Sequence, residues 1–178
     1  MPERSLYTNL DPLSGPEGVL EPRDLFMGLD PGKSGGIAVV DSEGGGAQAW
    51  KMPETPHDLW ALVCELEPRV RWATIEKVGG MPTDGRASLA KFMWQTGTLH
   101  MALVAAQIPF AVIAPRRWQK AMRCMTGGDK NVSKRRAQEL WPALKITHAT
   151  ADALLLAEYG RLYRHRTSTA PGIEIRHL

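Results

Sequence analysis

Apolar and polar residues follow two different periods along this chain. Short runs rich in β-branched and other apolar residues, bounded by glycine, proline or aspartate, are typical of β-strands. The first two such runs each end at an aspartate, and a glycine-rich turn follows the second. These runs predict strands at Leu25–Asp30, Gly36–Asp41, 47–52, 72–78 and 110–114.

Apolar residues at helical spacing predict helices between and after these strands. The first helix begins after the capping residue Thr55, has Pro56 in its first turn and ends before Pro68. Its apolar face is predicted to include Trp60. The order of elements, βββαβαβ followed by helices, predicts an α/β domain with a mixed sheet. The later helices are predicted at 87–106, 116–122, 132–140 and 149–164.

The helix predicted at 87–106 carries more apolar surface than one face of a sheet would cover. A second copy of the same helix would cover the remainder, so we expect a homodimer in which this patch meets itself. The predicted inner stripe is Leu89, Phe92, Met93, Leu99 and Leu103, with Trp94 and Met101 beside it.

The length of 178 residues, 43% of them hydrophobic, suits one well-buried domain. We expect residues 1–23, which hold four prolines and no periodic pattern, to form a flexible leader. The folded domain is then 24–166, and 167–178 is expected to be a loose tail. No apolar run approaches the ~20 residues of a membrane span, and the start does not resemble a signal peptide.

The cysteine pattern suggests neither a disulfide framework nor a zinc site. Cys64 and Cys124 stand in unrelated contexts without a C-x-x-C spacing. A reduced, cytoplasmic setting is therefore expected. The lack of a long apolar run predicts no membrane partner.

The segment Gly32-Lys33-Ser34 looks like the end of a nucleotide-binding P-loop, but its surroundings exclude that interpretation. The first glycine of the motif would fall at Met27, and a β-branched run follows where a helix is required. The segment instead predicts the turn of a β-hairpin, with Asp30 closing the first strand. Asp30 is then either a turn former or a carboxylate placed for chemistry at a strand end.

Three acids stand in strongly apolar surroundings, where a carboxylate is costly unless a cation accompanies it. Asp30 ends the first strand, Glu76 interrupts the strand WATIEKV, and Asp152 lies near the start of the last helix. A βαβ crossover would place the fourth strand beside the first, so Asp30 and Glu76 could be neighbours. A third carboxylate would complete a cluster that divalent cations stabilise.

Positive charge is concentrated between residues 115 and 136. The chain has a net charge of +3 and a pI near 9.0, and this segment alone has eight basic residues and one acid. Such a segment favours a polyanionic partner, although a solvated helix face would also account for it. Trp118, within this segment, is either a residue that stacks on a base or a core residue.

Four segments, in order and spacing, resemble the RuvC-like Holliday junction resolvases of the RNase H-like superfamily, especially their compact phage and bacterial branch. They are GLDPGKSGGIAVVD, TIEKV, GDKNVSKRRAQELWP and HATADALLLAEYGR, which together span about residues 25–164. The resemblance implies an α/β fold with an RNase H-like mixed five-stranded sheet flanked by helices. It also implies a dimeric endonuclease that nicks two opposing strands of four-way junction DNA.

The resemblance also implies a site with two Mg²⁺ ions, for which Mn²⁺ is a plausible substitute. Asp30, Glu76 and Asp152 match the three core metal-binding acids of the family. The family's fourth acid is missing, and His148, four residues before Asp152, is either a further ligand or general base, or a surface or capping histidine. Lys130 is implied to approach the scissile phosphate.

The DNA contacts are expected mainly from the basic segment, whose first part begins a helix, a natural place for phosphate contacts. Met81-Pro82, at the tip of the loop 79–86, is a candidate wedge for the junction centre, or a turn with a buried methionine. The predicted DNA-binding residues are Lys33, Arg86, Arg116, Arg117, Trp118, Lys120, Lys130, Lys134 and Arg135.

Other functions stay open at this point. An RNase H-like nuclease could act on another branched, flap or hybrid nucleic acid, since a fold does not fix a substrate. Actin-like and sugar-kinase ATPases also begin with G-[IL]-D-x-G before a hairpin, but they need two such domains. A non-catalytic DNA-binding protein would have no use for three acids in register.

Overall fold

A computed structural model describes residues 23–78, 85–125, 127–129, 131–164 and 173–176. All but the last residue of the predicted leader lies outside the described residues. The strands form one mixed sheet in the order β3-β2-β1-β4-β5-β6. Their bounds are β1 Leu25–Asp30, β2 Gly36–Asp41, β3 Ala47–Lys51, β4 Val70–Glu76, β5 Phe110–Ile113 and β6 Ile173–Arg176.

The centre of the sheet is parallel and its two sides are antiparallel. Strands β1, β4 and β5 run in parallel, β2 and β3 continue the sheet as antiparallel hairpins, and β6 pairs antiparallel with β5. The predicted mixed sheet of five strands is therefore confirmed. The difference lies in the tail, where the sequence predicts a loose segment and the structure has β6 at Ile173–Arg176.

The helices cover both faces of this sheet. Thr55 caps the first helix as predicted, because its hydroxyl accepts the backbone N–H of Asp58. A single 3₁₀ turn, Glu67–Arg69, follows that helix. No helix among the described residues is long and apolar enough to cross a membrane. The helices are α1 Pro56–Leu66, α2 Arg86–Ala105, α3 Pro115–Ala121, α4 Asn131–Leu140 and α5 His148–Tyr163.

The sheet separates two hydrophobic cores. Because side chains alternate across a strand, Met27 and Leu29 of β1 join the core under α1 and α2, whereas Phe26 joins the core under α3, α4 and α5. Helix α1 departs from prediction at Trp60, which is 41% exposed and outside both cores.

Helix α5 lies directly on the backbone of the central strands. A Cβ atom at Gly28 of β1 would overlap the carbonyl oxygen of Ala153 and the amide nitrogen of Ala157. On the helix, a Cβ at Gly160 would overlap the hydroxyl oxygen of Thr74 in β4. These close approaches fix the height of α5 above the sheet, and with it the position of Asp152.

Candidate active site

Asp30 and Glu76 end two neighbouring parallel strands. Leu29 pairs with Ile75 across β1 and β4, so Asp30 and Glu76 occupy the next position of the same register. Leu29 and Ile75 point into the core under α1 and α2. The alternation of side chains therefore directs both acids to the opposite face, the one covered by α5.

Asp152 lies in the first turns of α5, on this same face. The next residue, Ala153, is the one whose carbonyl oxygen touches the backbone of Gly28, two residues before Asp30. Asp152 is half-buried, and its Oδ1 atom is buried. The fold thus brings Asp30, Glu76 and Asp152 to one end of the sheet from β1, β4 and α5.

Burial and a like charge perturb Glu76. Burial raises the pKa of Glu76 to about 7, the hydrogen bond from Trp118 opposes that rise, and the nearby charge of Asp152 adds to it. The indole Nε1 of Trp118 donates to Oε2 of Glu76 at 2.9 Å. Two acids that repel each other in a poorly solvated place are a common feature of functional sites.

Two other buried acids show what a structural carboxylate looks like in this fold. Asp41 accepts hydrogen bonds from the backbone N–H groups of residues 43–46 and forms an ion pair with Arg23. Burial raises the pKa of Asp41, but the hydrogen bonds, first that from Gly46, outweigh burial and hold the pKa below its ordinary value. Glu158 accepts two bonds from Arg161. Both are accompanied by a cation, whereas Glu76 accepts its bond from the neutral indole of Trp118.

The donor chemistry of the three acids suits a hard divalent cation such as Mg²⁺, which prefers carboxylate oxygens. A cation there would also offset the repulsion between Glu76 and Asp152. Among the residues that the structure describes, however, no three His, Cys, Asp or Glu side chains approach closely enough to hold an ion as they stand. The three acids therefore have the ligand type that a divalent metal prefers and lie on one face of the sheet, but they do not form a closed ligand shell.

His148 is the first residue of α5 and is exposed. It does not cap the helix, since Thr147 is the N-cap and forms a reciprocal capping box with Thr150. His148 precedes Asp152 by one turn of the continuous helix α5, so the two positions lie on the same side of the helix backbone, as the sequence predicts.

The basic helix α3 divides its residues between solvent and core. Arg116 and Lys120 are exposed, as a DNA-contacting surface requires. Arg117 is half-buried, and its Nε donates to the hydroxyl of Tyr159 on α5 at 3.2 Å. The prediction that Trp118 contacts DNA is wrong, because its side chain is completely buried and its ring nitrogen is bound to Glu76.

The remaining predicted DNA contacts fall into two groups. Lys33 and Arg135 are exposed, and Lys134 is half-buried. Lys130, the side chain of Arg86 and the loop with Met81 and Pro82 lie outside the described residues.

Sequence reasoning missed the bond between Trp118 and Glu76. The two residues are 42 positions apart, and the sequence left Trp118 open between stacking on a base and packing in the core. The usable signal was the requirement that a buried indole N–H find an acceptor.

Comparison with known proteins bears on the fold. No protein-family model matches the chain, and no curated protein matches it either. Among solved structures, Thermus thermophilus RuvC in complex with Holliday junction substrate superposes with a TM-score of 0.61 at 18% identity, over 86% of this chain and 99% of that one. The chain has a RuvC-like fold. A second structure of Thermus thermophilus RuvC agrees, with a TM-score of 0.61 at 20% identity over 85% of this chain and 99% of that chain.

Proposed function

We propose that this chain is a metal-dependent endonuclease that resolves four-way DNA junctions by nicking two opposing strands as a homodimer. The observation that supports the proposal is that Asp30, Glu76 and Asp152 share one face of a RuvC-like sheet, with an electrostatic interaction between Glu76 and Asp152. The solved neighbour with this fold holds a Holliday junction, which supports the same class of substrate here.

The three acids would hold Mg²⁺, or Mn²⁺ in its place, as two ions that activate water and stabilise the leaving oxygen of a phosphodiester. Glu76 serves this purpose as the carboxylate, so it must lose the proton that burial favours. His148, which is exposed one turn before Asp152, would take or give a proton at the edge of the site.

Phosphate contacts come from the outer side of α3 and its neighbours. Arg116 and Lys120 are exposed on α3, and Arg135 is exposed on α4. Lysine and arginine contacts of this kind orient a nucleic acid without reading its sequence. Helix α3 also carries Trp118 on its inner side, so the DNA-facing residues and the support of Glu76 belong to one short helix.

Dimer formation is proposed through α2. Trp94 and Met101 are 63% and 60% exposed, and Gly97 is exposed between them, so these residues form one outer stripe. Met93, predicted on the inner stripe, belongs to this outer surface because it is 52% exposed. A two-fold axis through such a stripe pairs it with itself, and paired nicking of a symmetric junction needs that symmetry.

The inner side of α2 reaches toward the proposed site. Gly32, with φ +116, lies against the ring of Phe92, where a Cβ would stand 3.2 Å from Cε2. Gly32 belongs to the turn that follows Asp30, so this contact connects helix α2 to the turn after the acid.

The test is a comparison of substrates under one set of conditions. A synthetic four-way junction, a flap, a linear duplex and an RNA–DNA hybrid are each incubated with Mg²⁺, Mn²⁺ or EDTA. We expect symmetric nicks in the junction that depend on metal and little product from the duplex. Equal cleavage of all four substrates, or preferential cleavage of the hybrid, would replace the junction assignment with the broader nuclease one.

A further inference from the structure

Glu76 is held by a bond of a different kind from those that hold the other buried acids. Asp41 and Glu158 are each paired with an arginine. The indole of Trp118 donates to Oε2 of Glu76 at 2.9 Å and supplies no charge. Such a bond fixes the direction of the carboxylate without adding a positive charge beside it.

The donor itself is completely buried. Trp118 is 0% exposed and packs in the core beneath α3, α4 and α5. The neighbouring Arg117 donates to Tyr159, so α3 is tied to α5 as well as to the end of β4. An indole has one N–H donor and no acceptor, so Trp118 can only donate in this hydrogen bond.

The indole bond uses one oxygen of the carboxylate, Oε2. It does not use Oε1, which as a carboxylate oxygen has two lone pairs. Groups that orient a metal ligand through a hydrogen bond change metal affinity by about 10–100-fold when they are removed.

We propose that Trp118 is a positioning residue for the metal site: its buried N–H fixes Glu76 through Oε2 and presents Oε1 to a divalent cation. This inference rests on the proposed function, because it assigns Glu76 as a metal ligand. It assigns Trp118 no contact with DNA and none with the reacting atoms.

The experiment compares Trp118→Phe with Trp141→Phe. Trp141 is a matched control, since it is 5% exposed in the same core and its indole donates one bond, to the carbonyl oxygen of Gly44 at 3.1 Å. Mn²⁺ affinity is measured on the DNA-free protein by calorimetry. We expect Trp118→Phe to bind Mn²⁺ about 10–100-fold more weakly than the unmodified protein and Trp141→Phe to bind it equally well.

A second readout needs no variant to retain its metal site. The indole N–H resonance of Trp118 is identified by its absence in the spectrum of Trp118→Phe, or from backbone-linked assignment if that variant does not fold. It should shift when Mg²⁺ is added and also in Glu76→Gln, whereas the Trp141 resonance should do neither.

The outcomes separate this inference from the proposed function. A Trp118 resonance that ignores Mg²⁺ overturns the positioning role, and so does unchanged Mn²⁺ affinity in a folded Trp118→Phe; either result leaves junction cleavage by the unmodified protein standing. A resonance that responds to Mg²⁺ in a protein that cleaves no junction supports the positioning role and overturns the proposed substrate.

Discussion

The two faces of the sheet are built in opposite ways. On the α5 face, helix and strand backbones approach closely at Gly28, Gly160 packs against the side chain of Thr74, and the three acids lie at the end of the same packed layer. On the α2 face, Trp94 and Met101 project into solvent. The candidate catalytic acids therefore lie on the tightly packed face of the sheet, and the candidate dimer surface lies on the face whose outer side chains are exposed to solvent.

The strongest test of the α5 face removes its acids one at a time. Asp30→Asn, Glu76→Gln and Asp152→Asn should each reduce cleavage about a thousandfold, because bound metal contributes several kcal/mol to transition-state stabilisation. Junction binding should be unchanged or tighter, since each variant removes a negative charge near a polyanion. Single-turnover cleavage and gel-shift titrations measure the two effects, with the exposed Glu54→Gln as control. Retained cleavage in any two variants contradicts the assignment.

The packing contrast is tested by adding one methyl group to each face. Gly28→Ala forces a Cβ into the backbone of α5 and should lower the free energy of unfolding by up to about 3 kcal/mol. Gly97→Ala, on the outer side of α2 with nothing within 4 Å in a single copy of the chain, should raise the free energy of unfolding of the monomer by up to about 1 kcal/mol through improved helix propensity. Urea denaturation decides, and equal effects at the two positions would abolish the contrast.

Assembly through the α2 face is tested by a charge at its most exposed aromatic residue. Trp94→Glu should convert a micromolar homodimer to monomers, because a buried unpaired carboxylate opposes association. Trp60→Glu, at a 41% exposed tryptophan on α1, is the matched control and should remain dimeric. Sedimentation velocity measures both, and paired nicking should disappear only with Trp94→Glu. An unmodified protein that is monomeric with and without junction would remove the α2 face from the mechanism.

The pKa of Glu76 gives the α5 face a pH dependence. Its pKa rises from an ordinary value of 4.5 to about 7, first because of burial, so the metal-free native state binds a proton that the unfolded chain releases. Its contribution to stability is therefore complete below about pH 4.5 and is lost as pH rises to about 7. Added Mg²⁺ should raise the melting temperature more at pH 8 than at pH 6, as thermal scans would show. Loss of that pH difference in Glu76→Gln would assign it to this residue, and equal shifts at both pH values in the unmodified protein would contradict it.

The smallest effect concerns the basic rim of the α5 face. Replacing both Arg116 and Lys120 with alanine should weaken junction binding and flatten the slope of log K against log salt by about 0.9 for each phosphate that the variant no longer neutralises. Arg71→Ala, an exposed arginine at the start of β4, should leave the slope unchanged. A slope that does not respond to the double substitution would make α3 a solvated helix face.

Local sequence patterns predicted those elements whose bounds are set by neighbouring residues. Strands β1 and β2 have the predicted bounds, because each is a short apolar run that ends at an aspartate next to a glycine-containing turn. Thr55 and Pro56 likewise define the start of α1. The pairing of β1 with β4, which makes Asp30 and Glu76 neighbours, followed from the crossover rule.

Local patterns failed where a distant contact decides which side of a short element faces inward. Helix α3 has seven residues, too few for its periodicity to show that Trp118 points to the core. Trp60 fits the apolar period of α1 although its side chain is 41% exposed. Metal geometry, likewise, depends on side-chain approach across three elements, which no single stretch of sequence encodes.

Strand β6 has a practical consequence for anyone who handles this protein. It pairs along the outer side of β5, whose four residues, FAVI, are all buried. A chain shortened at residue 166, where the sequence pattern invites trimming, would leave those backbone N–H and C=O groups as an open apolar edge. Such edges recruit strands from other molecules. Strand β6 should therefore protect β5 from aggregation, and the chain shortened at residue 166 should be less soluble than the full chain.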